Sequence, residues 1–232
     1  MAAVIFIDLV GSSKARDGRA GLQRALISLR DSLNDRFRDR LAAPFTVVWG
    51  DELKGVLQDP RPAWDVYRAA HGSMDGIPFY FSVGLGTIDT AIGYEAEQDI
   101  DLLDGSAFKA ARGAMDRLKR QGERPYRVEF ASAGNAHLAE ALNAYVAILN
   151  DLVQHMTAAQ RKRFVHEFPW NGRASTDGMA DKEEVSRQSA WETLQRARID
   201  AYRAANRGIE ALLQLAFEHQ ALVLPSGKEP HP

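Results

Sequence analysis

Two carboxylates in this chain stand where a pair of acids could meet and work together. Asp8 lies near the end of the apolar run MAAVIFIDLVGSSK, which empties into Gly11, Ser12 and Ser13. Asp51 lies in FTVVWGDELKGVL, 43 residues later, between two short apolar runs that flank Gly50-Asp51-Glu52. Carboxylates brought to one place repel unless something positive sits between them. Magnesium-type cations are bound through one or two carboxylates plus the phosphates of a substrate. Asp8 and Asp51 are therefore expected to share a divalent ion, Mg²⁺ or Mn²⁺. Backbone N–H groups of Val10, Gly11, Ser12 and Ser13, between strand and helix, suit a polyphosphate, and Lys54 follows the hairpin acid where it can serve a phosphate. Glu52 is either a third ligand or, the favoured role, a solvated hairpin residue, and the plainer roles of the others are an Asp that caps a turn and serines that N-cap a helix.

These residues need elements to carry them. A run as apolar and β-branched as residues 2–9, bounded by Gly and Ser, reads as a buried strand. The flanks of Gly50 and Asp51 read as a hairpin over 45–58. Between them, residues 15–41 place Leu22, Ala25, Leu26, Leu29, Leu33 and Phe37 at helical spacing, and Pro44 is expected to end that helix. Further helices are expected from Ala63 to His71 and from Gly105 to Arg120. Strands are expected at 79–87, with close backbone approach at Gly84 and Gly86, and at 126–131. The order strand, helix, hairpin, helix, strand, helix, strand is a ferredoxin-like β-α-β-β-α-β plan with an extra helix and strand. The fold class expected is α+β.

Ala133-Gly134-Asn135 is the expected boundary, giving units 1–133 and 134–224 and a frayed Pro-rich tail at 225–232. The second unit reads as all helix: 136–156, then Thr157 to Phe168 with Thr157 as N-cap, then two helices to about Gln220. The final helix carries more apolar surface than one face needs, which packing on the first unit or on a second copy would bury.

The four segments FIDLVGSS, WGDEL, FSVGLGTIDT and DGSAFKAAR, in this order and spacing, resemble the SatD family and, more distantly, the catalytic domain of class III nucleotide cyclases. The resemblance covers about residues 3–131. It implies a cyclase-like fold in which Asp8 and Asp51 are metal ligands. It also sets Lys109 and Gly113 where cyclases place the Asn and Arg that hold ribose and stabilise the transition state. Lys109 then becomes a nucleotide contact, and Arg112, one position away from Gly113, is expected on another helix face.

TDGMADKEEVSRQSAWETLQRAR, residues 176–198, is similar to the helix-turn-helix of sigma-factor region four, a segment that SatD-type proteins carry after their first domain. Met179, Ala180, Val185, Trp191 and Leu194 fall at its apolar positions, with Glu184 where glycine is usual. Ser186 would cap the recognition helix, Arg187, Gln188 and Ser189 would face the DNA groove, and Arg196 would serve a phosphate. Double-stranded DNA is the expected partner, with a homodimer for paired half-sites.

The composition bounds the alternatives. Hydrophobic content of 45% and charged content of 26% fit a chain with a real core. A formal net charge of −2 opposes nucleic-acid or membrane binding by the whole surface. The absence of cysteine excludes disulfides and thiolate metal sites. No apolar run approaches membrane-spanning length, and a cytoplasmic protein is expected. The six histidines are dispersed without zinc spacing, and Trp49, Trp64, Trp170 and Trp191 are expected in cores or domain contacts. The leading expectation is a transcriptional regulator that senses a nucleotide or metal. A metal-dependent nucleotidyl cyclase or transferase and a protein-interaction module are the alternatives, and whether the chain is an enzyme stays open.

Overall fold

The computed structural model describes residues 1–10, 19–48, 50–74, 76–89, 100–121, 124–157, 160 and 185–223. Gly11, Ser12, Ser13, Trp49, Trp170, Met179, Ala180, Glu184, residues 161–168 and the tail 225–232 lie outside these described residues. The chain is α+β. Strands β1 (Ala2–Leu9), β2 (Leu41–Val48), β3 (Glu52–Leu57), β4 (Phe79–Gly86) and β5 (Val128–Ser132) form one mixed sheet of order β2-β3-β1-β4-β5. Helices α1 (Arg19–Phe37), α2 (Ala63–Ser73), α3 (Ser106–Arg120), α4 (Ala136–Gln154), α5 (Arg187–Arg196) and α6 (Ile199–Val223) complete the described elements. β1 runs antiparallel to both neighbours, β3 and β4, whereas β4 and β5 are parallel and joined through α3.

The central place of β1 follows from its composition, because a strand covered on both faces needs apolar residues at consecutive positions. Ala3, Ile5, Ile7 and Leu9 enter the core shared with α1 and α2, while Val4 and Phe6 enter a second core under α3. Asp8 continues the second series, so it looks toward α3. That helix lies close on β4 because Gly84 and Gly86 leave room: a Cβ at Gly84 would overlap the Ala107 carbonyl and the Ala111 nitrogen. The expected close approach is thus a helix seated on a glycine track.

Pro44 does not end α1. The helix stops at Phe37, a 3₁₀ turn spans Arg38–Arg40, and β2 begins at Leu41 with Pro44 inside it. β2 is the sheet's edge, and its register shifts between Ala43 and Thr46, where a residue without N–H is tolerated. The Asn34 amide supplies what the edge lacks, accepting from Phe45 N at 2.7 Å and donating to Phe45 O at 2.9 Å. The same device closes the far edge. Asn143 of α4 bonds both Phe130 N and O at 2.9 Å, and Asn150 bonds Tyr126 N at 2.6 Å and O at 3.1 Å. Both open edges are blocked by helix-borne asparagines, which removes the template for strand addition.

The described helices of the second half share the first half's core. Leu142, Val146 and Leu149 of α4 and Ala205, Ile209 and Leu213 of α6 join one cluster with Trp64 and Tyr67. Trp64 Nε1 donates to Asn206 Oδ1 at 2.8 Å, Arg68 pairs with Glu210 at 2.6 Å, and Arg61 lies 3.7 Å over the Phe217 ring. The apolar excess of the last helix is therefore spent largely on α4 and α2. In α5 the buried positions are Ala190 and Leu194, whereas Trp191 is exposed, 54%, as is Val185 ahead of the helix, 38%. The expected burial of Trp191 fails because the helix turns its Ala190–Leu194 side to its neighbours, and that of Val185 fails outside the helix. Thr157 Oγ1 accepts from Gln160 N at 3.2 Å, and Gln160 Oε1 accepts from Thr157 N at 2.8 Å, while the rest of the helix expected to follow lies outside the described residues. Among the described residues no helix is long and apolar enough to cross a membrane.

Candidate functional site on the α3 face of the sheet

The strand registers decide which side chains meet beneath α3. Phe6 pairs with Lys54 on β3 and Ser82 on β4, and Ser82 with Glu129 on β5. One step along the strands, Asp8 pairs with Glu52 and Tyr80. Alternation sends all of these to the same face as Asp8. Gly50 makes the hairpin bend with φ +85, and Leu9 N donates to Asp51 O at 3.3 Å, which brings Asp51 to the end of β1. The expected neighbourhood of Asp8 and Asp51 is present, and Glu52 joins it.

Glu52 is not solvated, contrary to its expected hairpin role. It is 7% exposed, because it already belongs to β3 and points under α3. Lys54 is 5% exposed, with Nζ 3.6 Å from Glu52 Oε1 and 5.4 Å from the centre of the Phe6 ring. Arg112 Nη1 stands 3.7 Å from Glu52 Oε2, and its guanidinium lies 5.0 Å from the same ring centre. Arg112 was expected on a face away from the site. It lies on the site because α3 crosses the sheet along β4 and hangs this flank over β1 and β3. The flank carries Lys109, Arg112, Asp116 and Lys119 at steps of three, four and three residues, one stripe of a helix.

Lys119 Nζ donates to Asp8 Oδ2 at 2.7 Å. Burial pushes the Asp8 carboxyl above its ordinary range. Lys119 pulls it down, and the neighbouring Asp51 charge pushes it up again. Two buried polar atoms here have no hydrogen-bond partner among the described residues, Glu52 Oε1 and Ser82 Oγ. Such atoms cost about 1–3 kcal/mol each when left unsatisfied. The same face of the sheet holds a hollow of about 550 Å³ lined by Phe6, Lys54, Ile100, Phe108, Lys109 and Arg112 among others. Lys109 is on its rim, mostly exposed and 3.8 Å from Asp104.

Among the described residues no group of three or more His, Asp or Glu side chains converges as a cage. Asp8 and Asp51 offer two carboxylates, enough for a Mg²⁺-type ion that keeps waters and takes phosphate oxygens. Val10 is at the end of β1, its N–H engaged by Pro78 O at 2.9 Å. That hydrogen is spent on the protein, so Val10 is withdrawn from the expected phosphate cradle.

At the other end of the chain, Ser186 caps α5, its Oγ accepting from Ser189 N at 3.2 Å. Arg187, Gln188 and Ser189 are exposed on its first turn. Gln188 and Arg196 both lean on Glu192, at 3.4 and 3.3 Å. Sequence reading set Glu52 on its hairpin and Arg112 on another helix face, and it passed over Ser82 and Lys119. The stripe spacing on α3 was a usable signal for Arg112 and Lys119, and alternation along β3 for Glu52.

The architecture is thus an α+β sheet protein with α3 and a charged hollow on one face and α1 and α2 on the other. The model for the SatD family matches residues 2–207, and the chain belongs to that family. Comparison with curated proteins finds no match.

Proposed function

We propose that the chain is a ligand-responsive transcriptional regulator. In this reading a ferredoxin-like, cyclase-like unit binds a nucleotide polyphosphate with Mg²⁺ or Mn²⁺ in the hollow beneath α3. The helical half then presents α5 to double-stranded DNA, in a homodimer that reads paired half-sites in the cytoplasm. The observation that carries the ligand site is the group of cations at the hollow: the buried Lys54 and the half-exposed Arg112, both drawn to Glu52, with Lys109 on the rim. The cations Lys54, Lys109 and Arg112 line the hollow and suit phosphate oxygens. The strand order β2-β3-β1-β4, with β1 antiparallel to both neighbours, supports the ferredoxin-like plan. The Ser186 cap and the exposed Arg187, Gln188 and Ser189 support the DNA-facing helix. Bound metal would neutralise the Asp8–Asp51 repulsion and polarise a phosphoryl group.

Two experiments on the full chain test the two halves. Calorimetric titration with Mn²⁺-ATP and Mn²⁺-GTP should give binding that Asp8→Asn and Asp51→Asn each weaken at least tenfold; no binding of either nucleotide rejects the sensing half. Selection from random duplex DNA should enrich a sequence that Arg187→Ala and Gln188→Ala no longer hold. A pool that stays random rejects the DNA half.

Placement of Arg112 on the site flank of α3 favours a second reading, a metal-dependent nucleotidyl cyclase or transferase. Product from ATP or GTP that disappears in Asp8→Asn and Arg112→Met would replace the regulator with the enzyme.

A further inference from the structure

A separate hollow of about 710 Å³ opens on the opposite face of the sheet, where α2 and α4 meet the starts of β4 and β5. Small-molecule pockets span roughly 300–1,000 Å³ and combine apolar walls with a few placed polar groups. Its walls are rings. Tyr67 stands 5.9 Å from Tyr126 and 6.2 Å from Phe79, and His71 is 5.8 Å from Tyr126. Tilted and edge-on rings at these separations are the arrangement into which a further aromatic ring packs favourably.

The polar lining is cationic. Arg124 and Arg127 border the hollow, and among the described residues neither guanidinium is in an ion pair. The charge of Arg127 is felt at the Tyr67 hydroxyl. Asp151, the acid of the lining, is mostly exposed and turned along α4 to His155 at 3.5 Å. The Asn150 amide is consumed by the Tyr126 backbone. An occupant therefore meets the edges of a packed ring cluster and two guanidinium groups, whose fork geometry matches carboxylate.

We propose that this hollow is a second ligand site, for a small aromatic carboxylate. It is independent of the nucleotide reading and does not share its residues. Its floor is tied to both halves of the chain: Tyr126 and Tyr202 of α6 share a hydroxyl hydrogen bond of 3.0 Å, and Pro78 on the rim accepts from Val10 at the end of β1. Occupancy would bear on the helical half and on the strand that carries Asp8.

Calorimetric titration of the full chain with indole-3-acetate and its neutral isostere indole-3-acetamide tests the site. The acetate should bind one per chain and at least about fivefold tighter than the amide. Ala147→Trp, which fills the hollow from the exposed side of α4, should weaken both probes at least about tenfold. Arg127→Gln should abolish the preference for the acetate. Gln154→Trp on the last turn of α4 repeats the filling test if Ala147→Trp does not fold. Absence of binding by either probe, binding that the folded tryptophan variant leaves unchanged, or an acetate preference that survives Arg127→Gln overturns the proposal.

Discussion

Replacing Lys119 by Met isolates the balance at Asp8. The Lys119–Asp8 contact is a charge-assisted hydrogen bond at 2.7 Å, with 41% of the Lys119 side chain exposed and 14% of Asp8. Hydrogen bonds to charged groups contribute roughly 1.5–3 kcal/mol. Solvent screening at so exposed a lysine brings the net value to about 1 kcal/mol. A metal that takes Asp8 as ligand must displace this ammonium, so Lys119→Met should tighten Mn²⁺ binding by the same amount, about fivefold. The measurement is free Mn²⁺ by electron paramagnetic resonance during titration of the full chain, without nucleotide. Protons compete for the same oxygen. Asp8 is held above its ordinary range, chiefly by burial, and losing Lys119 raises it further, so the gain should shrink as pH falls through the raised value. Folding stability gives an independent readout of sign. A carboxyl raised on folding contributes stability that is present below its unfolded value of 3.8 and lost as pH rises through the folded one. Lys119→Met should therefore lower the urea midpoint at neutral pH and leave it nearly unchanged below pH 3.8. Mn²⁺ affinity that is unchanged or weaker in the variant refutes the competition between lysine and metal at Asp8.

Gly84→Val should destabilise the fold by about 3 kcal/mol or more, since its side chain meets α3 backbone rather than a side-chain tip that can move aside; urea denaturation of the purified variant measures this. Asn143→Leu strips both hydrogen bonds from Phe130 and should cost about 2–4 kcal/mol, two unsatisfied backbone groups at 1–3 each, partly relieved by water. The same variant exposes a sheet edge, so light scattering at raised protein concentration should show faster aggregation than wild type. Trp64→Phe keeps most of the buried ring and removes the donor to Asn206, so a loss of about 1–3 kcal/mol is expected in the same denaturation assay.

The local patterns were legible because they are local. Apolar continuity in residues 2–9 demanded a strand covered on both faces, and the spacing of Leu26, Leu29, Leu33 and Phe37 demanded a helix with one buried side. Glycines at 84 and 86 announced a close approach before its partner was known. Element order and type from Ala2 to Ser132 follow from such periodicities. Pro44 misled because a proline that stops a helix interior is tolerated on a bulged edge strand, and edge position is a property of the whole sheet. Trp191 misled because apolar character does not say which side of α5 finds a neighbour.

What the tertiary structure decided is the company each charge keeps. The diagonal path of α3 over the glycine track turns Arg112 and Lys119 onto Phe6, Glu52 and Asp8, contacts between residues up to 111 positions apart. No periodicity within either segment encodes that crossing, since it depends on how closely two backbones can pass. Burial of Glu52 and Lys54, the asparagine locks on both sheet edges, and the aromatic hollow behind Tyr126 arise in the same way. The sequence by itself set the acids at a strand end, and the packing of α3 determined which cations answer them.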